Sequence, residues 1–194
     1  MRLGILGGSF DPPHVGHLLA ASDAFDALEL DRLVFIPAGR QPFKHRNIVA
    51  PSADRLAMLR LTVNDDVRFD VDPMELGREG LSYTVDTLTT LAERDSVAER
   101  FLLVGADIAT QIASWRQPER IAELAQVVIL ARPGAPEAPL SLGIAGARPA
   151  QRLASRLVDV SSTEIRERVR AGRPIRGFVT DAVEKFIDAA GLYR

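Results

Sequence analysis

The sequence predicts an α/β fold in which a mainly parallel sheet carries helices on both faces. Short apolar runs of strand length alternate along the chain with longer segments whose apolar residues recur every three or four positions. This alternation is typical of βαβ units, because parallel strands need a crossover between them. With 194 residues, 46% of them hydrophobic, the chain is long and apolar enough to build such a core.

Three strands and three helices are expected in the first half of the chain. In order they are a strand at 2–6, a helix at 16–28, a strand at 33–37, a helix that opens at Ser52, a strand at 67–71 and a helix that begins at Ser82 or Thr84 and ends near Arg94. The helices are inferred from periodic apolar residues, namely Leu18, Phe25 and Leu28, then Leu56, Leu59 and Val63, then Val85, Leu88 and Leu91. Ser52 is the expected N-cap of the second helix, after a polar loop at 38–51.

The second half continues the alternation and ends in two helices. Its expected elements are a strand at 101–104, a short helix after Asp107, a helix at 118–124, strands at 127–130 and 157–160, and helices at 162–171 and 181–190. Gly172 and Gly191 are expected to end the last two helices. Residues 132–150 are rich in Pro, Gly and Ala and predict a mobile loop. The whole chain, 1–194, is interpreted as one domain, with about 162–194 as a helical C-terminal subregion.

Composition excludes several classes of function. The net charge of −2 gives no reason to expect nucleic-acid or membrane-surface binding. The sequence contains no apolar run near the ~20 residues that a membrane span needs, and it begins with a strand rather than a signal segment. The absence of cysteine fits a reducing compartment. A soluble, cytoplasmic protein is therefore expected.

The most informative motif runs from Gly7 to His17, directly after the first apolar run. Gly7 and Gly8 allow a backbone to approach a ligand closely, and N–H groups in such a turn and at the following helix start attract phosphate oxygens. His14 and His17 lie one helical turn apart, so both can face one anion. A metal site or simple packing are the alternatives. A closed zinc site is disfavoured because the chain has no cysteine and His45 is its only other histidine.

Two better-known phosphate-binding patterns are absent. No Lys followed by Ser or Thr comes after the second glycine, as a P-loop requires, and Gly4, Gly7 and Gly8 lack the spacing of the dehydrogenase pattern. The His-x-Gly-His turn itself is therefore expected to hold the phosphates. The turns at Gly7, Pro37, Gly105 and Ser161 follow predicted strands, so a ligand site is expected where they converge.

Other segments carry residues with both a structural and a functional interpretation. Lys44 lies in a polar loop whose composition is as compatible with a solvated surface as with a functional site. Trp115 is the only tryptophan, and a lone Trp is more often a core residue than a ligand platform. Ser82-Tyr83-Thr84 and Asp107 are each explained by helix capping. Ser161 and Glu164 match a capping box, which leaves Arg166, one turn into that helix, free to reach a phosphate.

Together these motifs resemble the nucleotidylyltransferase superfamily with its HxGH signature, and within it the bacterial nicotinate-mononucleotide adenylyltransferases. The resemblance implies a Rossmann-like fold and three sets of site residues. The catalytic set is His14, His17, Lys44 and Arg166. The ATP-binding set is Gly7, Gly8, Ser9, Phe10, His17, Gly105, Asp107, Ser162, Thr163 and Arg166, and the set that binds the nicotinate nucleotide is Ser82, Tyr83, Thr84 and Trp115. Phe43 departs from the family, which has His there, and Arg132 matches the family without an assigned role.

The resemblance also implies the reaction. The partners would be ATP and nicotinate mononucleotide, with Mg²⁺ carried on the ATP phosphates and no protein metal site. Nicotinamide mononucleotide or phosphopantetheine are alternative acceptors. A non-catalytic nucleotide-binding module and a metal-dependent hydrolase are alternative functions, and whether the chain forms a homo-oligomer stays open.

Overall fold

A six-stranded parallel sheet forms the centre of the protein in a computed structural model that describes residues 1–40, 49–64, 66–131, 139–154, 156 and 158–194. The strand order is β3-β2-β1-β4-β5-β6. The strands are β1 (Arg2–Gly8), β2 (Arg32–Pro37), β3 (Phe69–Val71), β4 (Glu99–Gly105), β5 (Gln126–Ala131) and β6 (Gln151–Ala154). All five neighbouring pairs are parallel, which confirms the predicted fold class.

Helices connect these strands and follow the last of them. They are α1 (Val15–Ala27), α2 (Ser52–Val63), α3 (Thr84–Arg94), α4 (Ala106–Ala109), α5 (Pro118–Leu124), α6 (Ser162–Arg170) and α7 (Asp181–Ala190), with a short 3₁₀ turn at Ile112–Ser114. The last helix has the predicted bounds. Gly172 and Gly191 follow α6 and α7 in the left-handed region, at φ 63° and 62°, so the predicted helix ends are confirmed.

Both faces of the sheet are covered, which explains why its central strands β1, β2, β4 and β5 are mostly apolar. One face packs Ile5, Ile36, Leu102, Val104 and Ile129 against the apolar sides of α3 and α5. The other face packs Leu6, Phe35, Leu103 and Val128 against α1 and α2. A third apolar cluster joins α2 to the last two helices, through Met58, Ile165, Val183, Ile187 and Tyr193.

The strand order changes direction between β1 and β4. From β1 the chain proceeds outward to β2 and β3 on one side, and from β4 outward to β5 and β6 on the other. At such a switch point the connections leave in opposite directions and open a crevice beyond the carboxyl ends of the strands. The turns after Gly8 and Gly105 therefore face the same crevice.

Most predicted elements are shifted by a residue or two at their ends, and Gly7 and Gly8, expected in a turn, are the last two residues of β1. Three further differences have a physical reason. The strand predicted at 157–160 is wrong: the sixth strand is Gln151–Ala154, an edge strand with Leu153 as its one buried residue, so it lacks the apolar run that marks buried strands. Ser52 is the first residue of α2 rather than its N-cap, which is Pro51. The third strand begins at Phe69 because Val67 is 95% exposed.

The segment predicted as a loop, residues 132–150, is described from 139 onward. That part contains no regular secondary structure, as predicted, yet Leu142 and Ile144 are buried against α5 and its side of the sheet. The mobility of this segment stays a prediction.

Candidate active site

A cavity of about 260 Å³ opens at the carboxyl ends of β1 and β4. Eight predicted site residues line it, namely Gly7, Gly8, Ser9, Ser82, Tyr83, Thr84, Gly105 and Trp115. A Cβ atom placed on Gly7 would meet no described heavy atom within 4 Å. The glycine at the end of β1 therefore leaves room at the wall of the cavity, as the predicted close approach of a ligand requires.

The turn after Gly8 is packed from beneath by Phe10. This residue has φ 48° and is 1% exposed, and its ring contacts Phe35 and His17 edge to face, at 5.8 and 4.9 Å between centroids. A Cβ atom on Gly8 would lie 2.9 Å from the Phe10 ring. Phe10 is therefore a buried support of the turn, and any contact that it makes with a nucleotide comes from its backbone.

His14 and His17 lie together at the start of α1. His14 occupies the N-cap position, and the two imidazoles stack with 3.7 Å between ring centroids. The His14 backbone N–H donates to Nδ1 of His17 at 3.2 Å. Because Nδ1 accepts this bond, the proton of a neutral His17 lies on Nε2, which becomes a hydrogen-bond donor. The first turn of α1 contains no acidic residue, so its positive end is available to an anion.

The start of α6 docks on the same turn. Ser162 donates from its hydroxyl to the Pro12 carbonyl at 2.8 Å, and Nη1 of Arg166 donates to the Asp11 carbonyl at 2.7 Å. Nη2 of Arg166 lies 3.3 Å from the Thr163 hydroxyl. The Ser161 hydroxyl accepts the Glu164 N–H, which confirms that Ser161 caps this helix. The structure thus brings the predicted triplet Ser162, Thr163 and Arg166 to the histidine turn, the segment that runs from Ser9 to His17.

Asp11 lies at the centre of this region, and sequence analysis missed it. Its side chain is 1% exposed and accepts hydrogen bonds from the Val49 and Ala50 N–H groups and from the Tyr193 hydroxyl, at 2.7, 3.0 and 2.8 Å. Burial and the charge of Asp11 raise the pKa of Tyr193, so its hydroxyl keeps the proton that it donates.

Arg55 is the second buried charge that the sequence did not reveal. It is 1% exposed and donates to the carbonyls of Ser9 and Ala38, at 2.7 and 2.9 Å, so it joins the turn after Gly8 to the residue that follows β2. Burial lowers the pKa of Arg55, and the nearby charge of Asp11 opposes that shift. Arg55 precedes the buried Met58 and Leu59 by three and four positions, and this helical spacing was the available signal.

The opposite wall of the cavity is formed by the turn before α3. Ser82 is 6% exposed, and Tyr83 is the N-cap of α3 without a side-chain hydrogen bond to the helix. The interpretation of this turn as simple N-capping is therefore wrong, because Ser82 lies before the cap position and Tyr83 does not cap with its side chain. The first N–H groups of a helix lack intrahelical acceptors, so this wall presents donors suited to a carboxylate.

Glu75 supports that wall. Its carboxylate accepts the Thr87 hydroxyl at 2.7 Å and the Gly39 N–H at 3.4 Å, and burial raises its pKa. A Cβ atom on Gly39 would lie 2.3 Å from the Glu75 carbonyl oxygen and 2.6 Å from the Ser82 hydroxyl. Gly39 therefore permits a contact between segments that no other residue type would allow without displacement.

Aromatic and charged groups complete the cavity. Trp115 lines it and also packs against the apolar cluster of α3 and α5, so both interpretations of this residue fit. The Arg116 guanidinium lies 4.7 Å from the centroid of the Tyr83 ring. Asp107 is the second residue of α4, whose N-cap is Gly105, so the capping interpretation of Asp107 is wrong.

Some predictions fall outside what the structure describes. Lys44, Phe43 and His45 belong to residues 41–48, and Arg132 belongs to residues 132–138, which lie outside the described residues, as does the side chain of Asp107. Within the described part of the chain, no group of three or more His, Cys, Asp or Glu side chains is placed to hold a metal ion. None of the helices there is long and apolar enough to cross a membrane.

Known proteins match this chain along its length. The family model described as cytidylyltransferase-like matches residues 5–168. A Gemmatimonas aurantiaca protein named "Probable nicotinate-nucleotide adenylyltransferase" is 47% identical and covers 100% of this chain and 93% of its own. A Thermus thermophilus protein of the same name is 46% identical over 100% of both chains.

The fold also matches solved structures. The nicotinic acid mononucleotide adenylyltransferase of Plasmodium falciparum, complexed with NaAD, is similar with a TM-score of 0.77 at 17% identity, covering 99% of this chain and 97% of that one. At this identity the likeness concerns the fold alone. The family model and the full-length relatives confirm the resemblance inferred from the motifs, and the chain belongs to the cytidylyltransferase-like family, among its nicotinate-nucleotide adenylyltransferases.

Proposed function

We propose that this protein transfers the adenylyl group of ATP to nicotinate mononucleotide, forming nicotinate adenine dinucleotide and pyrophosphate in NAD biosynthesis. The observation that carries the proposal is one cavity with an anion-binding feature on each side. Gly7, Gly8 and Ser9, at the end of β1, line one side, and the uncapped start of α3 lines the other. His14 and His17 do not line the cavity; they follow Ser9 along the chain, at the start of α1. The names of the full-length relatives support the same reaction.

The reaction is a displacement at phosphorus. An oxygen of the nicotinate mononucleotide phosphate forms a bond to the α-phosphorus of ATP, and the bond from that phosphorus to the bridging oxygen of pyrophosphate breaks. The nucleophile is already an anion, so no protein group has to remove a proton. The work of the protein is to position the two substrates and to stabilise the charge that develops on the phosphate oxygens.

The histidine turn is suited to that stabilisation. The hydrogen bond at Nδ1 makes Nε2 of a neutral His17 a hydrogen-bond donor, and the positive end of α1 adds to its effect. Nε of Arg166 is buried and has no hydrogen-bond partner among the described residues, so it supports a role for Arg166 toward a phosphate oxygen. Lys44 completes the proposed catalytic set with His14.

Magnesium enters this proposal as part of the substrate MgATP. Asp11, the carboxylate of the glycine turn, is buried and already accepts three hydrogen bonds, which makes it a poor metal ligand. Mg²⁺ would then be held by phosphate oxygens and water. It would neutralise part of the charge on the leaving pyrophosphate.

The acceptor is proposed from the other side of the cavity. The start of α3 with Ser82 and Thr84 would hold the nicotinate carboxylate, and Trp115 would stack on the pyridine ring. A site that pairs a carboxylate rejects an amide analogue by orders of magnitude. Nicotinamide mononucleotide and phosphopantetheine remain the alternative acceptors. We also propose that the protein is cytoplasmic.

One assay tests the proposal and separates its alternatives. Pyrophosphate release is measured with MgATP and equal concentrations of nicotinate mononucleotide, nicotinamide mononucleotide or phosphopantetheine, and with Mg²⁺ omitted as a control. We expect rapid release with the first acceptor alone. Release with phosphopantetheine instead would replace the proposed acceptor, and tight ATP binding without release from any acceptor would favour the non-catalytic module.

The variant His17→Ala tests the histidine turn in the same assay. Loss of one donor to a developing charge costs about 2.7–4 kcal/mol of barrier, which corresponds to a fall in kcat of roughly a hundred- to a thousandfold. Thermal unfolding of the variant, followed by circular dichroism, checks that the fold is intact. A folded variant with near-normal kcat would remove His17 from the mechanism.

A further inference from the structure

Asp11 joins segments that lie far apart in the sequence. Its backbone belongs to the turn between β1 and α1, and its carbonyl accepts Nη1 of Arg166 from α6. Its carboxylate accepts the N–H groups of Val49 and Ala50, where the described chain resumes after residues 41–48. One residue therefore fixes the relative placement of three segments. The proposed function assigns two of them, the turn after β1 and the start of α6, to the ATP tail.

Tyr193 holds the carboxylate of Asp11 in its orientation. Its hydroxyl donates to Oδ1 at 2.8 Å, across 182 positions of sequence, and the residue is 5% exposed. Gly191 ends α7 in the left-handed region, and Tyr193 itself has φ 65°. A non-glycine residue in that region is strained. The backbone of Tyr193 is therefore conformationally strained at the position from which its side chain reaches Asp11.

The consequence of that hydrogen bond extends to Arg166. Nη1 of Arg166 lies 3.9 Å from Oδ2 of Asp11, and the Arg166 side chain is 11% exposed. Without the tyrosine hydroxyl, Oδ1 would keep the Ala50 N–H as its described donor, and the carboxylate could rotate. Rotation would weaken the bond from Val49 to Oδ2 and shift the charge that faces the guanidinium of Arg166.

We propose that Tyr193 is a positioning residue for binding of the ATP tail, acting through Asp11 to align Arg166 and the chain at Val49 with the histidine turn. The inference rests on the proposed function, because it assumes that the tail binds at this turn. Tyr193 does not line the cavity, so its effect on binding is indirect. The effect is expected on ATP rather than on the acceptor, because the acceptor is proposed to bind at the wall formed by Ser82 to Thr84.

The variant Tyr193→Phe tests this by removing a single oxygen atom. We measure the Kd of a non-hydrolysable ATP analogue by calorimetry, the KM for each substrate, and the midpoint of unfolding. We expect the analogue Kd and the ATP KM to rise roughly ten- to a hundredfold, because a misplaced Arg166 loses a charge-assisted hydrogen bond to a phosphate oxygen. The KM for nicotinate mononucleotide should stay unchanged.

A matched control separates positioning from loss of stability. Ile187→Val removes one methyl group from the same apolar cluster, where Ile187 is 1% exposed, without touching the Asp11 bond. It should lower the unfolding midpoint and leave the analogue Kd at the wild-type value. If Tyr193→Phe also lowers the midpoint but keeps the wild-type Kd, Tyr193 is merely structural and the inference is overturned.

A second pair of variants tests the route through Asp11. Adding Tyr193→Phe to Asp11→Asn should change the analogue Kd little beyond the effect of Asp11→Asn alone, whereas independent, multiplying effects would overturn the inference. If Asp11→Asn does not fold, the Tyr193→Phe result decides. Wild-type protein that binds the analogue but transfers no adenylyl group would refute the proposed function while the Kd comparison still judges Tyr193.

Discussion

The variant Gly7→Ala should bind ATP more weakly while folding at least as stably as wild type. Gly7 pairs with Ile36 in the sheet, has no left-handed φ, and lines the cavity at a point where an added Cβ would meet no described atom within 4 Å. The protein itself can therefore take an alanine here. Alanine also restricts the unfolded chain, which raises the free energy of unfolding by about 0.4–1 kcal/mol.

The expected loss falls on the ligand. A methyl group forced into a tightly packed site typically costs about 1–3 kcal/mol, and that cost corresponds to a five- to 150-fold rise in Kd, at about 1.4 kcal/mol for each factor of ten. Urea denaturation measures the free energy of unfolding, and calorimetry with MgATP measures the Kd. Both the free energy of unfolding and the Kd should rise, so the variant is more stable yet binds ATP more weakly. General damage to the fold cannot produce this combination.

Gly77→Ala is the matched control for this variant. Gly77 is exposed, has no left-handed φ, meets no described atom within 4 Å of an added Cβ, and lies outside the cavity lining. Its replacement should leave the Kd for ATP at the wild-type value. If Gly7→Ala binds ATP as wild type does, the ATP tail lies away from the end of β1, and the reasoning from the glycine turn is refuted.

Two further predictions concern the acceptor wall. Gly39→Ala should raise the KM for nicotinate mononucleotide and destabilise the protein by about 1–3 kcal/mol, because its Cβ would lie 2.3 Å from the Glu75 carbonyl oxygen. Steady-state kinetics that show a change in the ATP KM alone would contradict this. Because burial raises the pKa of Glu75 above 4.5, folded protein holds that proton more tightly than unfolded protein. The contribution of Glu75 to stability therefore falls as pH rises from 4.5 through the folded pKa. Urea denaturation from pH 4 to 8 measures the free energy of unfolding of Glu75→Gln and of wild type. The value for the variant, relative to wild type, should increase as pH rises. A difference that does not change with pH would contradict a raised pKa of Glu75.

Most of the fold could be predicted because its signals are local. Helices with one apolar face and strands buried on both sides leave a periodic trace in the sequence, and α7 was placed to the residue for that reason. The sixth strand was misplaced because an edge strand with one buried side chain leaves almost no such trace. The predicted N-cap of α2 differs from the structure by one position, because Pro51 and Ser52 are both common at helix starts.

In the candidate site, too, local contacts could be predicted from the sequence and long-range contacts could not. His14 and His17 were found together because they lie three residues apart on one helix, and the capping Ser161 was found for the same reason. Asp11 and Tyr193 meet across 182 positions, and nothing in the local sequence around either residue announces the other. Contacts of that kind depend on how α2, α6 and α7 pack, which periodicity does not specify.

The reversal of strand order has a consequence for local unfolding of the sheet. Strands β1 to β3 and β4 to β6 are two consecutive sets, joined where Arg2 pairs with Glu99 and Leu6 with Leu103. The cavity draws Gly7 and Gly8 from one set and Gly105 and Trp115 from the other. A bound nucleotide would contact both sets of strands and so stabilise the pairing of β1 with β4. The amide hydrogens between β1 and β4 should therefore exchange more slowly when ATP is present, and this slowing should exceed that of the amide hydrogens between β2 and β3.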